Sequence, residues 1–112
     1  MDNKQLKIKS EELRLKLINL IHNGRTGHTG GDLSVLNVMT VLYNRVLNVD
    51  PQRPKWAERD RFVLSKGHCA EAFYCVLCDK GFIDQAELDA YGTYNAHLGG
   101  HPDVTIPGVE IN

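Results

Sequence analysis

The sequence predicts an α/β fold, rich in helix and with one convincing strand. Three observations carry that expectation. Apolar residues recur at helical spacing in three segments. One run, Arg61-Phe62-Val63-Leu64-Ser65, has the composition of a short strand covered on both faces. Connections rich in glycine and proline separate these pieces. The chain has 112 residues, 42% hydrophobic and 24% charged, with 13 Lys+Arg against 14 Asp+Glu for a net charge of −1. That is room for one ordinary globular domain. A polyphosphate binder working by bulk charge would be basic, and this chain is not. No apolar run reaches the roughly 18 residues of a membrane span, and Met1-Asp2-Asn3-Lys4-Gln5 lacks the apolar core of a signal peptide. The three cysteines, Cys69, Cys75 and Cys78, are odd in number and crowded together. They read as thiols of a reducing, cytoplasmic compartment rather than as a disulfide framework.

Residues 1–9 read as a polar, lysine-rich lead-in. Ser10 is a suitable N-cap, followed by Glu11 and Glu12 where the helix dipole favours acids. Leu13, Leu17, Leu20 and Ile21 then form one apolar stripe, and Gly24 supplies a stop. Residues 24–31 hold four glycines and read as irregular. A second helix is expected from Asp32 or Ser34, with a stripe of Val35, Val38, Met39, Leu42 and Val46. Leu36, Val41 and Leu47 lie off that stripe, which predicts burial on several sides. Residues 48–54 contain Asp50-Pro51 and Pro54 and read as a loop. The strand ends at Gly67-His68. A third helix is expected from about Cys69 to Lys80, stopped by Gly81. Asp84-Gln85-Ala86-Glu87 has the pattern of a capping box opening a short helix that ends near Tyr91. Residues 92–112 read as extended loop. A strand covered on both faces needs neighbours, and no second run of comparable quality is present. The expectation is therefore of the leading part of a larger α/β domain, or of a subunit completed by another chain.

Three connections share a local form: Gly27-His28, Gly67-His68 and Gly100-His101. Glycine permits close approach of backbone to a ligand. Histidine gives or takes a proton near neutral pH. Connections at the carboxyl ends of strands are where open α/β sheets bind ligands, so the three pairs are candidates for one pocket. A rival pattern is Cys75-x-x-Cys78 followed by His97-x-x-x-His101, with the ligand types of a zinc finger. Its central gap exceeds the usual ~12–15 residues, and both cysteines fall in an apolar helical pattern. Two small core residues are the better reading, and no metal ligand is assigned. Arg53, Lys55, Arg59 and Arg61 cluster before the strand, but Glu58 and Asp60 interrupt them, and a mixed solvated face is expected. No Walker or dinucleotide fingerprint is present.

With these residues in place, the chain resembles the N-terminal part of transketolase. Four ordered segments carry the likeness: Gly27-His28-Thr29-Gly30-Gly31-Asp32-Leu33-Ser34, Arg61-Phe62-Val63-Leu64-Ser65-Lys66-Gly67-His68, Gly100-His101-Pro102-Asp103 and Pro107-Gly108-Val109-Glu110. The form is most similar to the N-terminal subunit of split bacterial and archaeal transketolases. The resemblance implies that residues 1–112 are an incomplete N-terminal portion of the diphosphate-binding domain, a three-layer fold of the PP type.

It further implies reversible transfer of a two-carbon ketol unit from a ketose phosphate to an aldose phosphate, in carbohydrate metabolism of the pentose phosphate kind. Thiamine diphosphate would be the cofactor and Mg2+ the metal, with metal ligands outside this chain. His28 and His101 would be catalytic and contact the sugar; His68 would lie against the cofactor diphosphate. A C-terminal transketolase subunit, or the rest of a longer chain, would complete the site in a homodimer or heterotetramer, and the 112 residues alone would be inactive. The other readings implied are a deoxyxylulose-phosphate synthase, a sulfosugar transketolase, or a non-catalytic interaction module retaining the fold.

Overall fold

The chain enters its first helix almost at once. In the computed structural model, which describes residues 1–111, α1 spans Asn3–Gly24. Asp2 caps it: its carboxylate accepts from the Gln5 N–H while the Gln5 side chain accepts from the Asp2 N–H. This reciprocal capping box satisfies two N–H groups that a helix start leaves free. The polar lead-in expected over residues 1–9 is thus helical, and Ser10 is not a cap but a mid-helix residue whose hydroxyl meets Asn37 of the next helix. Leu13, Leu17 and Leu20 face the core as their spacing requires. The helix ends at Gly24, and the left-handed residue is the next one, Arg25 (φ 55°). Gly24 serves close approach instead, because a Cβ there would stand 3.1 Å from the Tyr91 ring and 3.2 Å from its carbonyl oxygen.

Helix α2 spans Thr29–Val41 and continues into a wider π turn over Leu42–Val46. Gly30 and Gly31 are therefore helical, and the second helix begins earlier than the glycines suggest. Its buried face is Asp32, Leu36, Met39 and Tyr43, with Thr40 beside it. Val38 and Val46 of the expected stripe are exposed. The helix buried nearly all round is α3, Ala70–Lys80, entered through a 3₁₀ turn at Gly67–Cys69. Every residue from Ala70 to Leu77 is buried, because α1, α2 and the returning C-terminal segment all pack against it. Gly81 ends α3 at φ 107°, a backbone angle suited to glycine. Helix α4, Gln85–Asp89, is capped by Asp84 accepting from the Glu87 N–H. It stops short of Tyr91, and the Glu87 carboxylate turns to His97 instead of closing the box.

The expected strand is a correction. Residues 61–64 have no regular secondary structure, no strand forms among the described residues, and no backbone–backbone hydrogen bond engages residues 61–65. A strand exists only as part of a ladder, and among the described residues no segment pairs with this one. Nor is the run covered on both faces. Leu64 is buried and Phe62 half-buried, but Val63 is exposed. Phe62 fixes the segment by packing edge-on to Phe73 and Tyr43, with ring centroids 5.4 and 5.7 Å apart.

The expected loop of residues 92–112 is non-helical as far as Ile111; Asn112 lies outside the described residues. It buries Leu98, Ile106 and Val109 in the core. Its far end is held by a two-pronged ion pair in which the Arg59 guanidinium donates to both carboxylate oxygens of Glu110, with both side chains about nine-tenths buried. Arg59 therefore belongs to the fold and not to a solvated face. Arg53 stacks on Trp56 and pairs with Asp50. Lys55 and Arg61 remain on the surface side of that cluster.

Candidate functional site

The three glycine–histidine connections meet in space. His28 immediately precedes α2, His68 lies in the 3₁₀ turn before α3, and His101 sits on the returning segment. The His28 ring centroid is 6.0 Å from that of His68 and 6.2 Å from that of His101, with both pairs set edge to face. All three histidines are exposed. Glycine makes the convergence possible by lacking a side chain. A Cβ on Gly67 would fall 2.5 Å from His101 Nδ1, and one on Gly31 would fall 2.9 Å from His68 Cδ2. The glycines that matter are thus not simply those preceding each histidine: Gly31 makes room for His68, and Gly67 for His101.

Side-chain anchors hold the segments in register. Tyr74, buried in α3, donates its hydroxyl to the carbonyls of Gly99 (2.5 Å) and His101 (3.2 Å), which pins the returning segment over the site. Lys66 donates from Nζ to the Gly31 carbonyl (3.1 Å) and the Ser34 hydroxyl (2.8 Å), tying the turn before α3 to the first turn of α2.

Beneath the histidines lies a pair of carboxyl groups, Asp32 and Glu71, both with no exposed surface. Asp32 accepts from the Ala72 N–H at 2.9 Å, so α2 supplies an acceptor to a free N–H at the start of α3. Glu71 Oε1 accepts from the His28 backbone N–H at 3.0 Å and faces His28 Nδ1 at 3.3 Å. Glu71 Oε2 accepts from the Tyr91 hydroxyl at 2.5 Å. Burial pushes the Asp32 carboxyl up, and its hydrogen bond with Glu71 pushes it further, to about 7. Burial also opposes ionisation of Glu71. There, however, hydrogen bonds from Asp32, Tyr91 and His28 prevail and hold it below its ordinary value. The pair therefore keeps one proton on Asp32 and the negative charge on Glu71. Burial, with the Glu71 charge beside it, raises the Tyr91 phenol, which stays a donor.

Sequence patterns alone give no role to Asp32, Lys66, Glu71, Tyr74 or Tyr91. One signal was available: Glu71 is the only charged residue in the run from Cys69 to Cys78, and an acid among buried neighbours needs partners. The other histidines stay outside the cluster. His97 faces Glu87 at 3.3 Å on the surface. Cys75 is fully buried, its thiol pushed up to about 12 by burial, and Cys78 lies beside Lys16. Both belong to the packing of α3. Among the described residues no group of three or more His, Cys, Asp or Glu side chains is arranged to hold a metal ion.

Comparison with known proteins places this arrangement. The structure superposes on the solved transketolase of Leishmania mexicana with a TM-score of 0.87 at 27% identity, covering 93% of this chain and 16% of that one. The chain is 46% identical over 112 residues to an apulose-4-phosphate transketolase subunit of Phocaeicola vulgatus, covering all of this chain and 40% of that protein. It is 36% identical over 106 residues to 6-deoxy-6-sulfo-D-fructose transketolase subunit SqwG of a Clostridium species, covering 93% of this chain and 38% of that protein. The fold and the ordered histidine segments are thus those of a thiamine-diphosphate-binding domain. The chain belongs to the family described as transketolase, thiamine diphosphate binding domain, which it matches over residues 5–112. It spans about 40% of the length of the subunit-type relatives.

Proposed function

We propose that this chain furnishes the histidine-bearing part of a transketolase active site, in an enzyme that transfers a two-carbon ketol unit between sugar phosphates. The observation that supports this best is the clustering of His68 and His101 beside His28, with ring centroids 6.0 and 6.2 Å away, in a chain of this family. The donor chemistry fits the cofactor in part. His68 lies exposed against Gly31 in the first turn of α2, where its imidazole N–H could donate to an anionic diphosphate oxygen. Thiamine diphosphate, when bound, supplies the electron sink for breaking and making the carbon–carbon bond. Mg2+ would be held by ligands outside the described residues. His28 and His101 bind the sugar hydroxyls and orient the substrate. As imidazoles they take the hydroxyl proton released when the bond breaks and return one when the acceptor adds. A second polypeptide, or further chain, completes the site in a homodimer or heterotetramer; relatives named as subunits support that arrangement. The completed unit would be a three-layer domain of the PP type. Three free thiols, two of them buried, suit a cytoplasmic enzyme.

The names of the two subunit-type relatives give the order of substrates to try: apulose 4-phosphate first, then 6-deoxy-6-sulfo-D-fructose, then ordinary pentulose and hexulose phosphates. The test is ketol transfer to an aldose phosphate by this chain combined with the polypeptide that completes it, with and without thiamine diphosphate. Transfer that requires the cofactor is expected. A cofactor-saturated complex that transfers from none of these donors would overturn the assignment and favour an interaction module.

A further inference from the structure

The buried carboxylate under His28 is not needed to bind anything from solution, since it has no exposed surface. Its partners show what it does instead. One oxygen of Glu71 receives the backbone N–H of His28 and faces the Nδ1 side of its ring. The other oxygen is held by the Tyr91 hydroxyl. Glu71 is itself carried on the first turn of α3, the most buried helix, so the oxygen facing His28 cannot drift. An ionised carboxylate only accepts hydrogen bonds. The ring nitrogen that faces it must therefore carry the proton, and the hydrogen bond made by one imidazole nitrogen decides the state of the other. Asp32 keeps the charge on Glu71 by holding the pair's single proton, and its own second oxygen lies 3.3 Å from the His28 backbone N–H.

We propose that Glu71 is a positioning residue for His28: its buried carboxylate fixes the ring with the proton on Nδ1 and leaves Nε2 as the basic nitrogen offered to substrate. This deepens the assignment of His28 as a proton-transfer group and rests on it for its catalytic meaning. Its structural content stands apart from turnover. The arrangement follows the logic of any base oriented by a third group, where the orienting acid stays ionised and the histidine does the proton transfer. A ring with no acceptor at Nδ1 has no fixed tautomer, and in a site exposed like this one it also rotates.

The test reads the tautomer directly. Long-range proton–nitrogen NMR of the completed enzyme, with 15N-labelled histidine in this chain, reports which nitrogen of His28 is protonated. The expected result is a single Nδ1–H form in the native chain and a mixture, or the Nε2–H form, in Glu71→Ala. A native chain with its proton on Nε2, or a variant that keeps the pure Nδ1–H form, would overturn the proposal. Because the native spectrum alone decides, a variant that fails to fold does not remove the test. In the completed enzyme Glu71→Ala should lower kcat by about 10–100-fold, the usual effect of removing an orienting partner, and change KM much less. An unchanged kcat would overturn the catalytic role of the positioning. If instead His28→Ala leaves turnover intact while the native tautomer is Nδ1–H, it is the assignment of His28 that fails.

Discussion

Gly67→Ala is a sharp probe of the site, because the perturbation is one methyl group and its target is known. The new Cβ would stand 2.5 Å from His101 Nδ1, 3.3 Å from Cε1 and 3.5 Å from Cγ. Ordinary contact begins near 3.4 Å, so the imidazole must retreat by about 0.9 Å, the difference between 3.4 and 2.5. Gly67 is not among the glycines with positive φ, so the backbone accepts alanine without strain. The ring is exposed and yields by rotating, so stability should fall by less than about 1 kcal/mol. Catalysis is less forgiving. A displacement of about 1 Å in a reacting group costs roughly 10²-fold. The assay is steady-state ketol transfer by the completed enzyme beside a thermal melt of the chain. A melting temperature close to native with kcat reduced about a hundredfold supports the reasoning. Native turnover would refute it, and so would a turnover loss matched by global unfolding.

Two further predictions concern the anchors. Tyr74→Phe removes the hydroxyl that holds Gly99 and His101, and should cost about 0.5–1.5 kcal/mol, the net worth of a hydrogen bond. Turnover should drop through a looser His101, which a thermal melt and a rate measurement on the same variant will separate. Asp32 makes stability depend on pH. Its folded pKa is raised, so its stabilising contribution is complete below its ordinary 3.8 and is lost as the pH rises through about 7. The native chain should therefore lose stability across that window, and Asp32→Asn, which keeps the shape but cannot ionise, should flatten the decline in a series of melts against pH.

Much of the site was legible because its chemistry is local in sequence. Each of the three clustered histidines sits next to a glycine in a connection between or beyond the helices, and the ordered segments 27–34, 61–68, 100–103 and 107–110 carry the likeness to transketolase by themselves. The helices were legible where one face is apolar: Leu13, Leu17 and Leu20 lie where their spacing puts them. Failures came where a long-range partner decides. The Arg61–Ser65 run has strand composition, but a strand requires a ladder and no neighbour pairs with it among the described residues. Val38 and Val46 look like core and are exposed, while Asp32, polar and helix-initial, is fully buried because its carboxylate meets the Ala72 N–H forty residues on. Glu71 and Tyr91 were invisible for the same reason. Each matters only through a partner distant in sequence, and no local pattern names that partner. Ser10 misled in the opposite direction, as a good cap residue outranked by the reciprocal Asp2–Gln5 box eight residues earlier.

The central claim is that His28 and His101 form the proton-handling part of a thiamine-diphosphate-dependent ketol transferase. Cofactor-saturated turnover of the completed enzyme, compared among the native chain, His28→Ala and His101→Ala, tests it most directly. A fall of roughly 10²–10⁴-fold in kcat is expected for each variant, the range of a proton-transfer group, with the chain still folded. Near-native turnover in both would contradict it.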